Sequence, residues 1–367
     1  MSNKLKKIII ATGGTGGHVF PAYSLAKHFI DSKKINVEII SDKRGLRYLQ
    51  NYHDVKIIEI TSSTIFKKNI FQLLFSILII FYSTFRSLIF LLTNRPNLVF
   101  GMGGYSSFPV CIAAKILRIP FIIYENNLHI GKANKYLLPY AKKIFVSHKE
   151  LEGIPERYHE KVCEIGNIIR KEILNFQVKS DSNQNDRKLK ILILGGSQAA
   201  KIFAEKLTEI FKECNEAKIS LKIYQQCLPE QNKFLTSFYE DLNIDFEIFN
   251  FSNNILDYFS KINLAITRSG SSMLAELINA QIPFISVPLP SSADNHQLKN
   301  AIYYEKNGYS YLIEEKNLNT KLFQLIKKIS EDSSLLSQII SKQRQYSDKS
   351  VYENIDKQIN KIINEEH

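Results

Sequence analysis

At 367 residues the chain is long enough for two domains, each with its own core. Its 44% hydrophobic and 23% charged residues exclude wholesale disorder, and four scattered cysteines without a C-x-x-C pair support neither a disulfide framework nor a zinc site, reading instead as buried thiols of a cytosolic protein. The net charge of +12 sits entirely in the first half, where residues 1–170 carry 24 Lys+Arg against 11 Asp+Glu, while residues 171–367 carry 24 against 25. Charge on one side points to a polyphosphate substrate or an anionic membrane surface, with a solvated basic face as the bland alternative. Nucleic acid is the weaker choice, because no helix-turn-helix, zinc or RNP-type motif accompanies the charge.

Lysines at 4, 6 and 7 mimic the start of a signal peptide, but the apolar run ends after four residues at glycine, so none is expected. That run, Lys7 to Ala11, reads as a strand, and Thr12 to Pro21, TGGTGGHVFP, turns it into a helix reaching Ile30. Glycine there permits positive φ and close backbone approach, while the first amides of the helix aim their unpaired N–H groups at the turn. The pattern is an anion site, most often for phosphate, with a purely structural turn as the alternative. Short strands at Val37 to Ile40 and Val55 to Ile60 flank a polar helix near Leu46 to Asn51. Alternation of this length argues for a parallel doubly wound sheet.

Ile65 to Leu92 is the most apolar stretch, and Asn69 to Phe85 contains no charge. As a helix that segment is roughly 26 Å long, against about 30 Å of bilayer hydrocarbon. Three readings stay open: a membrane contact lying in the headgroup region, a buried helix pair, or a span. Topology speaks against the span, since the strands on either side belong to one sheet. Flanking Lys67, Lys68, Arg86 and Arg95 suit the contact, which Phe75, Ile79 and Phe81 would make.

Gly101 to Pro109, GMGGYSSFP, repeats the glycine-rich chemistry after the run Leu98 to Phe100 and opens a helix through Leu117. Pro120 to Tyr124 leads to Glu125-Asn126-Asn127, polar residues at a strand end, where a turn is the ordinary role. A helix at Ala133 to Tyr140 and a strand at Lys143 to Ser147 complete the first domain, residues 1–165, and Cys163 to Arg170 is the crossover into the second. Gln177 to Lys188 is polar enough for a surface loop. The second domain, 166–348, repeats the scheme: a strand at Leu189 to Leu194, the loop LGGSQAA, a helix from Ile202 to Phe211, then strands at Leu221 to Gln225, Phe246 to Phe251 and Leu264 to Thr267, with a helix at Ile255 to Ser260. In the following RSGSSMLAE, Ser269 or Ser271 is expected to cap the helix carrying Glu276; Pro283 ends it before the strand Phe284 to Val287, and Asp294 to Gln297 begins another helix. Helical repeats through Leu322 to Ile339 and Val351 to Ile363 follow, the last segment, 349–367, returning to the first domain. Three glycine turns in one chain suggest two nucleotide-binding-like halves with anions held in a cleft at the strand ends.

The ordered set GGTGGHVFP, GMGGYSSFP, ENN, GNIIR, GGSQ, RSGSSMLAE and DNHQ resembles the MurG family of membrane-associated N-acetylglucosaminyltransferases, over nearly the whole chain. The resemblance implies an α/β GT-B fold, two Rossmann-like doubly wound parallel-sheet domains facing a cleft. It implies inverting transfer of N-acetylglucosamine from UDP-GlcNAc to the C4 hydroxyl of lipid I, giving lipid II, without an essential metal or other cofactor. It further implies a peripheral position on the cytoplasmic face of the bacterial membrane, with lipid I, the anionic membrane surface and other cell-wall synthesis proteins as partners.

Carried over by motif, Gly13, Gly14, Gly103, Gly104 and Tyr105 would surround the acceptor pyrophosphate. His18 would be the general base, a role that suits an imidazole titrating near working pH; its alternative is a capping or phosphate-contacting histidine. Thr15, Gly16, Gly17, His18, Asn127, Arg170, Ser197, Glu276 and Gln297 would meet UDP-GlcNAc, with Arg170 and Ser197 at its phosphates and Glu276 on the ribose. No metal ligands are expected. Departures from the family pattern fall at His296, Ala199, Ile168 and Ser252, chiefly in the base and sugar pockets. Rival readings are a transferase with another sugar nucleotide or acceptor and a non-catalytic membrane-bound UDP-sugar sensor. A dinucleotide oxidoreductase is disfavoured, because neither first-domain loop is followed by an acidic residue at ribose distance.

Overall fold

The computed structural model describes residues 7–62, 69–177, 188–250, 252 and 255–364. The expected surface loop at Gln177 to Lys188 therefore lies almost wholly outside the described residues, as do Ile65 to Lys68 and Phe251. The chain divides into two compact units, residues 1–171 with 348–367, and residues 172–347.

In the first unit β1 (Lys7–Ala11), α1 (Gly16–Lys33), β2 (Asn36–Ser41), α2 (Lys43–Leu49), β3 (Lys56–Glu59), α3 (Ile70–Asn94), β4 (Leu98–Gly101), α4 (Ser107–Ile116), β5 (Phe121–Glu125), α5 (Lys132–Leu137), β6 (Lys143–Val146) and β7 (Val162–Glu164) follow one another, and α6 (Lys171–Leu174) begins at the boundary and runs into the second unit. The strands form one sheet in the order β3-β2-β1-β4-β5-β6-β7, and every pairing is parallel. In register, Ile10 of β1 lies between Ile39 of β2 and Phe100 of β4. Ile8, Ile9, Ile10 and Ala11 are fully buried, which is why β1 is an unbroken apolar run: helices cover both faces of such a sheet.

α3 connects β3 to β4, two parallel strands of that sheet, and is one helix rather than a pair. It is long and apolar enough to cross a membrane by length and composition. A span would carry β4 away from the sheet it belongs to, so the chain does not use α3 that way. Its buried residues are Ser76, Ser83, Ser87 and Leu91, and the helix packs beside α4, while Phe75 and Phe81 are 64% and 75% exposed. Ile79 is only half exposed, at the border of the two faces. Each buried serine hydroxyl satisfies itself on a backbone carbonyl: Ser76 on Gln72, Ser87 on Ser83, and Ser83 on Thr61 at 2.6 Å.

The second unit comprises β8 (Leu189–Leu194), α7 (Gly196–Glu216), β9 (Leu221–Gln226), α8 (Asn232–Asp241), β10 (Asp245–Phe249), α9 (Leu256–Phe259), β11 (Leu264–Thr267), α10 (Ser271–Asn279), β12 (Phe284–Ser286), α11 (His296–Lys306), β13 (Tyr311–Leu312), α12 (Leu318–Glu331) and α13 (Ser334–Gln343). Its sheet order, β10-β9-β8-β11-β12-β13, repeats the doubly wound pattern with every pairing parallel. Ile191, Ile193, Phe203, Leu207, Phe211, Leu322 and Ile326 belong to its core. The helical pattern Leu322 to Ile339 breaks into two helices at Asp332, whose backbone is extended. α14 (Val351–Asn364) returns to the first unit, where the Tyr352 hydroxyl donates to the Ile169 carbonyl at 2.7 Å and Asp356 meets His28 and Lys33, both at 3.0 Å. All four cysteines are free, three of them buried.

Candidate active site

In the first unit the strand order reverses between β1 and β4, and in a doubly wound sheet ligands bind outside the strand ends at that point. The two glycine loops leave the carboxyl ends of those two strands. They touch: a Cβ on Gly104 (φ +78°) would stand 2.6 Å from the Gly13 carbonyl oxygen, and one on Gly103 (φ +85°) 2.8 Å from His18 Cε1 and Nδ1. Only glycine fits either place. Ser106 ties the loops together by donating to the Thr12 carbonyl at 2.6 Å. His18, in the first turn of α1, is half-buried with its ring over Gly103. Thr15 is the exposed N-cap of α1 and makes no side-chain capping bond, so the positive end of the helix dipole lies beside Gly16 and Gly17. Tyr105 is half-buried at the turn after Gly104.

Gly14 (φ +83°) has its amide committed inward, donating to Asp42 Oδ1 at 2.9 Å. Asp42, buried at the end of β2, also accepts from the Gly45 amide at 2.9 Å, the Ser62 hydroxyl at 2.8 Å and the Arg44 guanidinium at 3.0 Å. Burial opposes charge on Asp42, but these donors outweigh it and hold the carboxyl below its ordinary value. Gly14 therefore shapes the turn, and Asp42 fixes it.

The end of β5 supports the same loop. Glu125, 2% exposed, accepts from the Gly131 amide at 2.8 Å, from Asn134 Nδ2 at 3.0 Å and from Asn127 Nδ2 at 3.0 Å, which orients Asn127. Asn126 donates from Nδ2 to the Gly17 carbonyl at 2.9 Å. His18, both glycine loops, Asn126 and Asn127 are thus gathered at one end of the first sheet. Arg170 belongs to this unit as well, half-buried just before α6.

The second unit builds a similar strand-end cluster. Gly195 is the N-cap of α7 and Ser197 lies in its first turn; the Ser197 side chain is outside the described residues. The cap of α10 is Gly270, which makes no side-chain bond, so the capping expected of Ser269 or Ser271 does not occur. Instead the Ser269 amide donates to Gln297 Oε1 at 3.2 Å, and the Leu289 amide to the same oxygen at 3.0 Å. Gln297 therefore joins the loops after β11 and β12 through its carbonyl. Glu276 is buried on α10. Arg268, buried under Phe203, donates to the Val287 and Pro288 carbonyls at 3.2 Å and pairs with Glu315, while Asn300 Nδ2 holds the Ser269 carbonyl at 3.1 Å. Asp294 (φ 50°) and Asn295 (φ 55°) are left-handed before α11, a conformation that Asp and Asn tolerate better than other side chains. His296 Nδ1 contacts the Ala293 carbonyl at 2.7 Å. Among the described residues no cluster of three His, Cys, Asp or Glu could hold a metal ion.

Asp42, Arg268 and Asn300 are the supports that sequence reasoning passed over. Asp42 and Arg268 are single polar residues just beyond strand ends, where turn-forming residues are ordinary, and Asn300 is a single polar residue within α11, so only the partners distinguish them.

Residues 8–146 match the glycosyltransferase family 28 N-terminal domain and residues 190–359 its C-terminal domain. A relative from Pelagibacter ubique (strain HTCC1062), named UDP-N-acetylglucosamine--N-acetylmuramyl-(pentapeptide) pyrophosphoryl-undecaprenol N-acetylglucosamine transferase, is 34% identical over 364 residues, 98% of this chain and 99% of its own. The chain belongs to the MurG family of glycosyltransferase family 28. A Rickettsia bellii (strain RML369-C) protein of the same name is 35% identical over 90% of this chain and 94% of its own. The crystal structure of Acinetobacter baumannii MurG matches with a TM-score of 0.75 at 25% identity, covering 97% of this chain and 99% of that one, so the MurG-family chain has a GT-B-like fold. A UDP co-structure of Staphylococcus aureus MnaA, at 17% identity, shares the fold with a TM-score of 0.68, over 98% and 97% of the two chains.

Proposed function

We propose that this chain transfers N-acetylglucosamine from UDP-GlcNAc to the C4 hydroxyl of the MurNAc of lipid I, giving lipid II with inversion. The full-length likeness to transferases named for that reaction carries the reading. In this mechanism His18 accepts the proton of the C4 hydroxyl as its oxygen bonds to the anomeric carbon; the bond from that carbon to the diphosphate oxygen breaks, and UDP leaves with the electron pair. The half-buried His18 ring beside two interlocked glycine turns and a helix N-terminus supports the assignment, because a base and an anion site then serve one acceptor. Gly13, Gly103, Gly104 and Tyr105 would surround the acceptor pyrophosphate, with Gly14 shaping that turn, and Asn127 would contact substrate. On the donor side Arg170 and Ser197 would neutralise the leaving diphosphate, Glu276 would accept from the ribose hydroxyls, and Gln297 would donate to the sugar. Thr15, Gly16 and Gly17 would contact UDP-GlcNAc.

A lipid-linked acceptor requires work at a membrane surface. The exposed apolar face of α3 supports a peripheral position on the cytoplasmic leaflet, with Phe75 and Phe81 dipping into lipid, Ile79 at the rim, and the basic first half drawn to anionic headgroups. The test is transfer of radiolabel from UDP-GlcNAc to a lipid I analogue in the presence of lipid. No transfer by well-folded protein would overturn the reading. His18→Ala should lower kcat by about 10²–10⁴-fold while donor Kd stays near wild type; unchanged turnover would remove His18 as the base.

A further inference from the structure

α1 contains a proline where a helix can least use one. Pro21 has no N–H, so the bond that residue 21 would make to the carbonyl four residues back, that of Gly17, is missing. A carbonyl left unpaired there would loosen the first turn, which carries His18. Asn126, 4% exposed at the end of β5, donates from Nδ2 to that very oxygen at 2.9 Å. A side chain from another strand thus stands in for the missing backbone donor.

We propose that Asn126 is a positioning residue for His18, acting through the Gly17 carbonyl that Pro21 leaves open. The substitution of partners has a geometric use. In an uninterrupted helix the Gly17 carbonyl would accept from residue 21 of α1 itself, and no bond from β5 would be needed to satisfy it. With Pro21 present, the first turn is anchored to the strand end that also carries Asn127, so base and substrate contact move as one body. His18 is closed from the other side by Gly103, whose missing Cβ leaves room for the ring, and the two supports together define the imidazole's place. This inference rests on the reading of His18 as the base.

The pairing makes a specific genetic prediction. Asn126→Ala should lower kcat by about 10–100-fold, the scale of a small misplacement of a reacting group, with little change in donor KM. Replacing Pro21 by alanine restores an N–H that can bond Gly17, so the same Asn126→Ala change made in a P21A background should cost threefold or less in kcat. A structural defect at Asn126 unrelated to Gly17 would persist in that background. The experiment measures kcat and both KM values for wild type, N126A, P21A and P21A/N126A, with thermal melts on each. Near-equal kcat for P21A and P21A/N126A beside a large loss in N126A supports the proposal, and should N126A fail to fold, folded and active P21A/N126A does the same. A full loss retained in P21A/N126A, or N126A as active as wild type, overturns it while leaving the transfer reading intact. Absence of transfer by wild type overturns both.

Discussion

A methyl group on Gly104 would collide with the Gly13 carbonyl at 2.6 Å, and φ of +78° is already unfavourable for any other residue. Gly104→Ala should therefore cost about 1–3 kcal/mol of stability and lower turnover together, measured by thermal melts and steady-state kinetics. At Asp356 the charge is the issue. Burial opposes ionisation there, but bonds from His28 and Lys33 win and hold the carboxyl below its ordinary value. A lowered carboxyl contributes stability above the ordinary carboxylate range and loses it as pH falls through the folded value. Asp356→Asn should lower Tm near neutral pH, by the equivalent of about 1–2 kcal/mol, and the gap to wild type should close in acid. At this scale the glycine turn was legible in the sequence, because few ordinary turns need four glycines at a strand-to-helix junction. Asp42 and Gln297 were not legible in their structural roles, since each acts by accepting backbone amides from segments distant in sequence.

The apolar stretch could be read as a helix, but not which side faces inward. Burial usually goes with hydrophobicity; α3 reverses this, hiding Ser76, Ser83 and Ser87 and exposing phenylalanines. The small hydroxyl residues close their own hydrogen bonds on carbonyls and so tolerate burial, while large hydrophobic side chains stand on the other face. Phe75→Ser with Phe81→Ser should reduce co-sedimentation with anionic liposomes and leave Tm near wild type; unchanged sedimentation would defeat the membrane contact. Ser87→Leu makes the opposite test: it adds volume at a fully buried position of α3 and should destabilise by about 1–3 kcal/mol without weakening liposome binding. Most strands announced themselves as apolar runs because both sheet faces are covered. β7 and β13, three and two residues long, lacked that signature and escaped notice.

Both sheets wind in the same order, and both place their glycine loops where that order reverses, a regularity visible in the sequence as repeated strand, loop and helix. What repeats did not announce is how thoroughly the last helix belongs to the first unit. Val351, Tyr352, Ile355, Ile359 and Ile362 are all buried on α14. Deleting residues 348–367 should thus destabilise the first unit by on the order of 5 kcal/mol while sparing the second, seen in calorimetry as one transition moving to lower temperature and another staying. The same arrangement orders events on the ribosome. The second unit is one uninterrupted run of chain and can finish folding as it emerges, whereas the first must wait for its closing helix through the synthesis of roughly 180 further residues, about 10–40 s at ordinary elongation rates. For that interval the nascent chain displays the open seat of α14 beside His28 and, on another side, the phenylalanines of α3. It is the earlier-made half, completed last, that most needs a chaperone or an early landing on lipid.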